Sequence, residues 1–132
     1  MAIGSEMQEK PGGMRDALYK LWRKFRSAYS TTEMRTGQVW IDGREIYRKV
    51  VVTGALPNAT TKNVAHGIVA LDEVISVNGM ADNATVQRPL PYADATATDI
   101  VELDVSDTNI TLRSTGDQSG FTASFVIVEY VK

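Results

Sequence analysis

The chain of 132 residues contains no cysteine. That absence excludes a disulfide framework and any thiolate metal site, and it fits a protein assembled in a reducing compartment. Long apolar runs are missing as well. Nothing approaches the roughly 20 consecutive apolar residues of a membrane-spanning helix, and the first residues lack the apolar core of a secretory signal. The expectation is a product made in the cytoplasm with no membrane partner. His66 is the only histidine, so a metal site would need companions that no spacing supplies. Gly-rich phosphate loops, a G-x-S-x-G elbow and H-x-x-x-H spacings are all lacking. What remains is a binding or structural module, expected to be non-enzymatic and without a cofactor.

What is present is an ordinary globular composition, 43% hydrophobic and 23% charged, enough for one domain with a real core. The net charge of −2 conceals an asymmetry. Residues 1–50 hold ten Lys/Arg against six Asp/Glu, and residues 51–132 hold four against ten. Such a split helps identical subunits or unlike neighbours dock head to tail; a solvated basic helix beside an acidic surface accounts for it equally well.

The most informative stretch is YSTTEMRTGQVWIDGREIYRKVVVTG, residues 29–54. Two β-rich runs flank Asp42-Gly43, a step that tolerates the positive φ of a tight turn, so the pattern predicts a hairpin with strands at 38–41 and 45–53. The run YSTTE…TG.VWIDGREIYRK resembles a segment of bacteriophage structural proteins, particularly tail-fibre, baseplate and receptor-binding proteins, where it opens a small β-domain. Gly54-Ala55-Leu56-Pro57-Asn58, Thr61 to Ile68, Val77-Asn78-Gly79-Met80-Ala81 and Pro89-Leu90-Pro91-Tyr92 extend the likeness over residues 29–132. Arg44 stands where lysine is expected. The resemblance implies a structural role in the virion, in a tail fibre or baseplate or, alternatively, as a head-decoration or head-fibre protein. It carries no catalytic residue across. A soluble glycan-binding module, reading host surface glycan, is the competing class.

Taken in order, residues 1–13 end in Pro-Gly-Gly and read as an extended arm held by a neighbouring subunit or another virion protein. Residues 14–29 predict an amphipathic docking helix. Met14, Leu18, Leu21, Phe25 and Ala28 recur at alternating four- and three-residue spacing, Trp22 widens the stripe, and Arg15, Lys20, Arg23, Lys24 and Arg26 make the rest basic. That helix docks within an oligomer, packs on its own β-domain, or touches membrane or nucleic acid; the acidic balance of the whole argues against the last. Residues 30–132 then read as mainly β. About seven short strands with regular turn signals predict an antiparallel, jelly-roll-like β-sandwich; as a virion component of the kind it resembles, the chain is expected to assemble as a homotrimer.

Candidate sites follow from these elements. On the closing strand, Phe121, Ala123, Phe125 and Ile127 alternate with Val126, Val128 and Tyr130. Apolar residues on both faces point to burial of the second set, Val126, Val128 and Tyr130, against a neighbouring subunit. The stretch 81–97 reads as a long loop in which Arg88 and Tyr92, beside two prolines, form a recognition surface, or in which a buried Tyr92 fastens the loop to the sheet. His66 is expected to be a hydrogen-bonded structural residue; three copies of it around a trimer axis are a weaker possibility for metal binding. Glu102 and Asp104 alternate with Val101, Leu103 and Val105, the pattern of a solvated strand face rather than of paired catalytic carboxylates converging across a groove.

Overall fold

The structure, a computed structural model, describes residues 13–18 and 28–132. Residues 1–12 of the arm expected at 1–13, and the helix positions Leu21, Trp22 and Phe25, lie outside the described residues. Residues 14–18 are helical, with the Ala17 amide bonded to the Gly13 carbonyl at 3.0 Å. Residues 28–30 are already non-helical, so a helix running to Tyr29 is too long.

The described remainder is mainly β, with little helix. Its strands are β1 (Met34–Val39), β2 (Glu45–Val52), β3 (Thr61–Ala65), β4 (Glu73–Asp82), β5 (Gln87–Leu90), β6 (Val101–Val105), β7 (Asn109–Ser114) and β8 (Ala123–Val131). They form two antiparallel sheets, one in the order β1-β2-β8-β4-β5 and the other β3-β7-β6. A single 3₁₀ turn, Ala97–Asp99, precedes β6.

The hairpin forms where the sequence places it, with a shifted register. The Gly43 amide bonds the Trp40 carbonyl at 2.9 Å and the Trp40 amide bonds the Arg44 carbonyl at 2.8 Å, with Gly43 at φ +86°. The turn therefore has Ile41, Asp42 and Gly43 at its tip rather than two residues, and the first strand starts at Met34 instead of 38. Asp42 fixes the tip by accepting the Arg44 amide at 3.0 Å, the local side-chain bond that suits Asp to turns.

Both sheets contribute to one core. Val51, Ala81, Leu90, Val126, Val128 and Tyr130 from the larger sheet meet Val101, Ile110 and Leu112 from the smaller, with Leu56, Ile68 and Phe121 closing the ends. Strand alternation places every second residue inward. In the larger sheet the register sets Tyr47 beside Tyr130, Val51 beside Val126, and Val77 beside Val128. The Tyr47 and Tyr130 rings stack at 6.0 Å. Gly79 lets β4 approach β8 at this point, because a Cβ there would run into the Phe125 carbonyl oxygen.

This arrangement corrects two expectations. Val126, Val128 and Tyr130 are 0% exposed within a single chain, so they belong to the subunit's own core and offer nothing to a neighbour. The set facing outward is the other one, Ala123, Phe125, Ile127 and Glu129. The stretch 81–97 is also not one loop. It contains the end of β4 and all of β5, a four-residue strand at the sheet edge with Pro89 in it, a position where a proline is tolerated.

Candidate functional site

The outer faces of the two sheets differ in kind. On the smaller sheet, cross-strand rows run Thr61–Arg113–Glu102 and Asn63–Thr111–Asp104. Arg113 donates to Glu102 at 2.9 Å and to the Thr61 hydroxyl at 3.1 Å, and the Thr111 hydroxyl donates to Asn63 at 2.8 Å. The outward alternation of Glu102 and Asp104 is as the sequence predicts, and these acids serve a solvated polar face.

On the larger sheet the corresponding rows are Val52–Phe125–Met80–Pro89 and Val50–Ile127–Asn78. Val52 is 65% and Phe125 38% exposed. A groove of about 330 Å³ runs along the first row, lined by Val52, Met80, Ala81, Asp82, Gln87, Ala123, Ser124 and Phe125. Two rows further along the same face, Arg48 bonds Glu129 at 3.1 Å, donates to the Ala28 carbonyl at 3.4 Å, and lies 4.3 Å from the centre of the Tyr29 ring. The Val50 amide bonds the Ser30 carbonyl at 2.9 Å. Residues 28–30 thus bring the N-terminal part of the chain onto this same face. Sequence reasoning assigned the apolar faces of β8 in reverse, although one signal marked them. Glu129 shares a face with Phe125 and Ile127, and a charge among apolar residues marks the side open to water.

Arg88 and Tyr92 are brought together. The Arg88 guanidinium lies 4.0 Å from the centre of the Tyr92 ring and 4.6 Å from that of Phe121, a double cation–π contact. It donates to the Gln118 side chain at 2.7 Å, and Gln118 in turn donates to the Thr98 carbonyl at 3.1 Å. Tyr92 exchanges two backbone bonds with Val101, at 3.0 and 2.9 Å, just after the cis peptide at Leu90-Pro91. Its hydroxyl donates to Asp94 at 3.0 Å. That hydrogen bond, with desolvation and the Asp94 charge, pushes the Tyr92 hydroxyl above its ordinary pKa. The Thr96 amide, outweighing desolvation together with the Tyr92 hydroxyl, holds Asp94 below the usual carboxylate range. Every polar end of this cluster fastens the segment between β5 and β6, the second of the two roles expected of Tyr92.

His66 is 2% exposed. Its Nδ1 accepts the Ile68 amide at 3.0 Å, so Nε2 carries the proton and donates to the Ser106 carbonyl at 2.8 Å. The His66 carbonyl accepts from Lys49 Nζ at 2.6 Å, tying β2 of the larger sheet to the end of β3. Both ring nitrogens are engaged inside one chain, which overturns the idea of a metal site shared by three copies. Among the described residues, no group of three or more His, Asp or Glu converges in a way that would hold a metal ion. No helix among them is long and apolar enough to cross a membrane.

Met14 and Leu18, assigned to the docking helix, are 77% and 59% exposed, with their apolar side chains uncovered by the described part of their own chain. Comparison with protein-family models, with curated proteins and with solved structures returns no match.

Proposed function

We propose that the chain is a non-enzymatic structural component of a tailed-phage virion, a tail-fibre or baseplate protein anchored by its N-terminal segment and assembled as a homotrimer. The observation that carries this reading is the uncovered apolar face of the larger sheet, next to the point where the N-terminal segment leaves it. A polar outer sheet face is finished by water; an apolar one of this kind marks an interaction surface. The resemblance of residues 29–132 to phage tail and receptor-binding proteins supports the same reading and supplies the kind of particle. At a finer level than two antiparallel sheets, we take the fold to be a jelly-roll-like sandwich. β2 pairs with β8, β3 pairs with β7, and β4 to β6 lie between them in the chain, a nesting of partners inside partners.

The partners in this reading are other copies of the chain and other virion proteins, and the location is the particle. Deletion of residues 1–28 tests it. The truncated chain is expected to remain a soluble β-domain and to be missing from purified particles. Normal incorporation of the truncated chain would remove the anchoring role.

A further inference from the structure

Two apolar surfaces of this chain lie open at once, and they suit each other. One is the Val52–Phe125–Met80 row on the outer face of the larger sheet, with its groove. The other is the helical turn at 14–18, where Met14 and Leu18 are 77% and 59% exposed. Their charges are complementary. Residues 14–26 hold five basic residues, Arg15, Lys20, Arg23, Lys24 and Arg26, against Asp16 alone, whereas residues 30–132 hold thirteen acids against eight bases. Asp82 lines the groove. The chain also reaches this face by construction, because the Ala28 carbonyl and the Tyr29 ring are held on Arg48, one row beyond Val50.

We propose that a second copy of the chain lays its N-terminal segment on this face, with Leu18 and Met14 of one copy against Phe125 and Val52 of the next. Among the described residues of one chain both surfaces remain exposed, so the contact that covers them is assigned to a second copy. It joins unlike patches, a head-to-tail arrangement that closes into a ring when the rotation between subunits permits. The incoming segment is basic in sequence and the receiving domain acidic, which favours this pairing over a sheet-to-sheet contact between like-charged domains. The inference rests on the assembly put forward above and specifies its surface.

Because the chain has no cysteine, introduced thiols report this contact without background. The full-length Leu18→Cys/Phe125→Cys double variant is oxidised mildly and its disulfides are located by peptide mapping, beside its mass in solution. The expected result is a covalent multimer linked 18 to 125, at least about tenfold more abundant than the 18-to-111 link of a Leu18→Cys/Thr111→Cys control. An 18–125 link confined within single chains overturns the second copy as occupant. A multimer in solution without that link overturns the surface and leaves the assembly standing. A monomer at every concentration overturns both. Val52→Glu supplies a second reading at a side chain already 65% exposed, and therefore compatible with folding. It is expected to weaken association about tenfold or more, while Thr111→Glu on the opposite face leaves association unchanged; equal behaviour of the two overturns the proposal.

Discussion

The outer face of β3-β7-β6 and that of β1-β2-β8-β4-β5 meet the same problem, a sheet with one side turned away from the core, and solve it differently. The smaller sheet ends in Thr, Asn, Arg and Glu side chains that bond one another across strands. The larger presents mainly Val, Phe, Met and Ile there, with Asn78 and the Arg48–Glu129 pair beyond them. Its inner face, in contrast, admits polar groups, each with a partner. Lys49 bonds the His66 carbonyl, Ser124 bonds the Gly54 carbonyl, and Tyr130 bonds Glu33. The lesson is that polarity alone does not tell inside from outside in this sheet. A polar side chain is stable inside when its hydrogen bonds are made, and an apolar one outside calls for a cover.

The sharpest way to break the comparison uses adjacent residues. Val126→Asp places an unpaired charge in the core and is expected to cost about 4 kcal/mol or more, leaving little folded protein by circular dichroism. Phe125→Asp, one position away on the opposite face, is expected to keep the fold and lose self-association, as read from solution mass. Similar effects of the two variants on stability would mean that the two faces of β8 are not distinct.

Two further substitutions probe how the sheets are held. His66→Ala removes both ring hydrogen bonds at the junction of β3 with the β6–β7 turn and should cost about 2–3 kcal/mol in denaturant unfolding. Gly79→Ala forces β4 away from β8 and is expected to cost about 1–3 kcal/mol. A neutral result in either case would show that the corresponding contact is dispensable.

A smaller effect concerns pH. Burial pushes the Glu33 carboxyl up, but hydrogen bonds from Lys132 and Tyr130, with the charges of Lys132 and Lys49, outweigh it and hold the carboxyl below its ordinary range. Its folded-state pKa is lower than its unfolded one, so its contribution is complete above the ordinary carboxylate range and is lost as pH falls through the folded value. Glu33→Gln should flatten the acid limb of the stability profile and leave the neutral plateau slightly lower. An unchanged acid limb would remove the linkage. Smallest of all, Arg113→Ala on the polar outer face should change stability by no more than about 0.5 kcal/mol, since the ion pair with Glu102 and the bond to the Thr61 hydroxyl that it removes are both exposed to water.

Much of this architecture was legible in the chain. Asp42-Gly43 between β-rich runs placed the first hairpin, and the alternation of Glu102 and Asp104 with Val101, Leu103 and Val105 gave both the strand and its outward side. β5 was hidden because it is short and carries Pro89, which demotes a strand unless the edge position is known. The faces of β8 were read in reverse because both are apolar, and the inward one is fixed by packing across the core against Val101, Ile110 and Leu112 of the other sheet, which no local pattern marks. Arg88 and Tyr92 were singled out together as a recognition surface, yet their use as a clasp on Phe121 and Gln118 depends on a segment some 30 positions further along, which no local pattern reveals.

β8 lies in the middle of its sheet although it comes last of the eight strands among the described residues. During synthesis β2 and β4 emerge well before the strand that separates them, and they wait with bare amide and carbonyl rows. Pairing between such distant partners is slow, and an open strand edge is a template for another chain. Recovery of native protein should therefore depend on how crowded nascent copies are, so that slower expression yields more of it even when the finished molecule is no more stable.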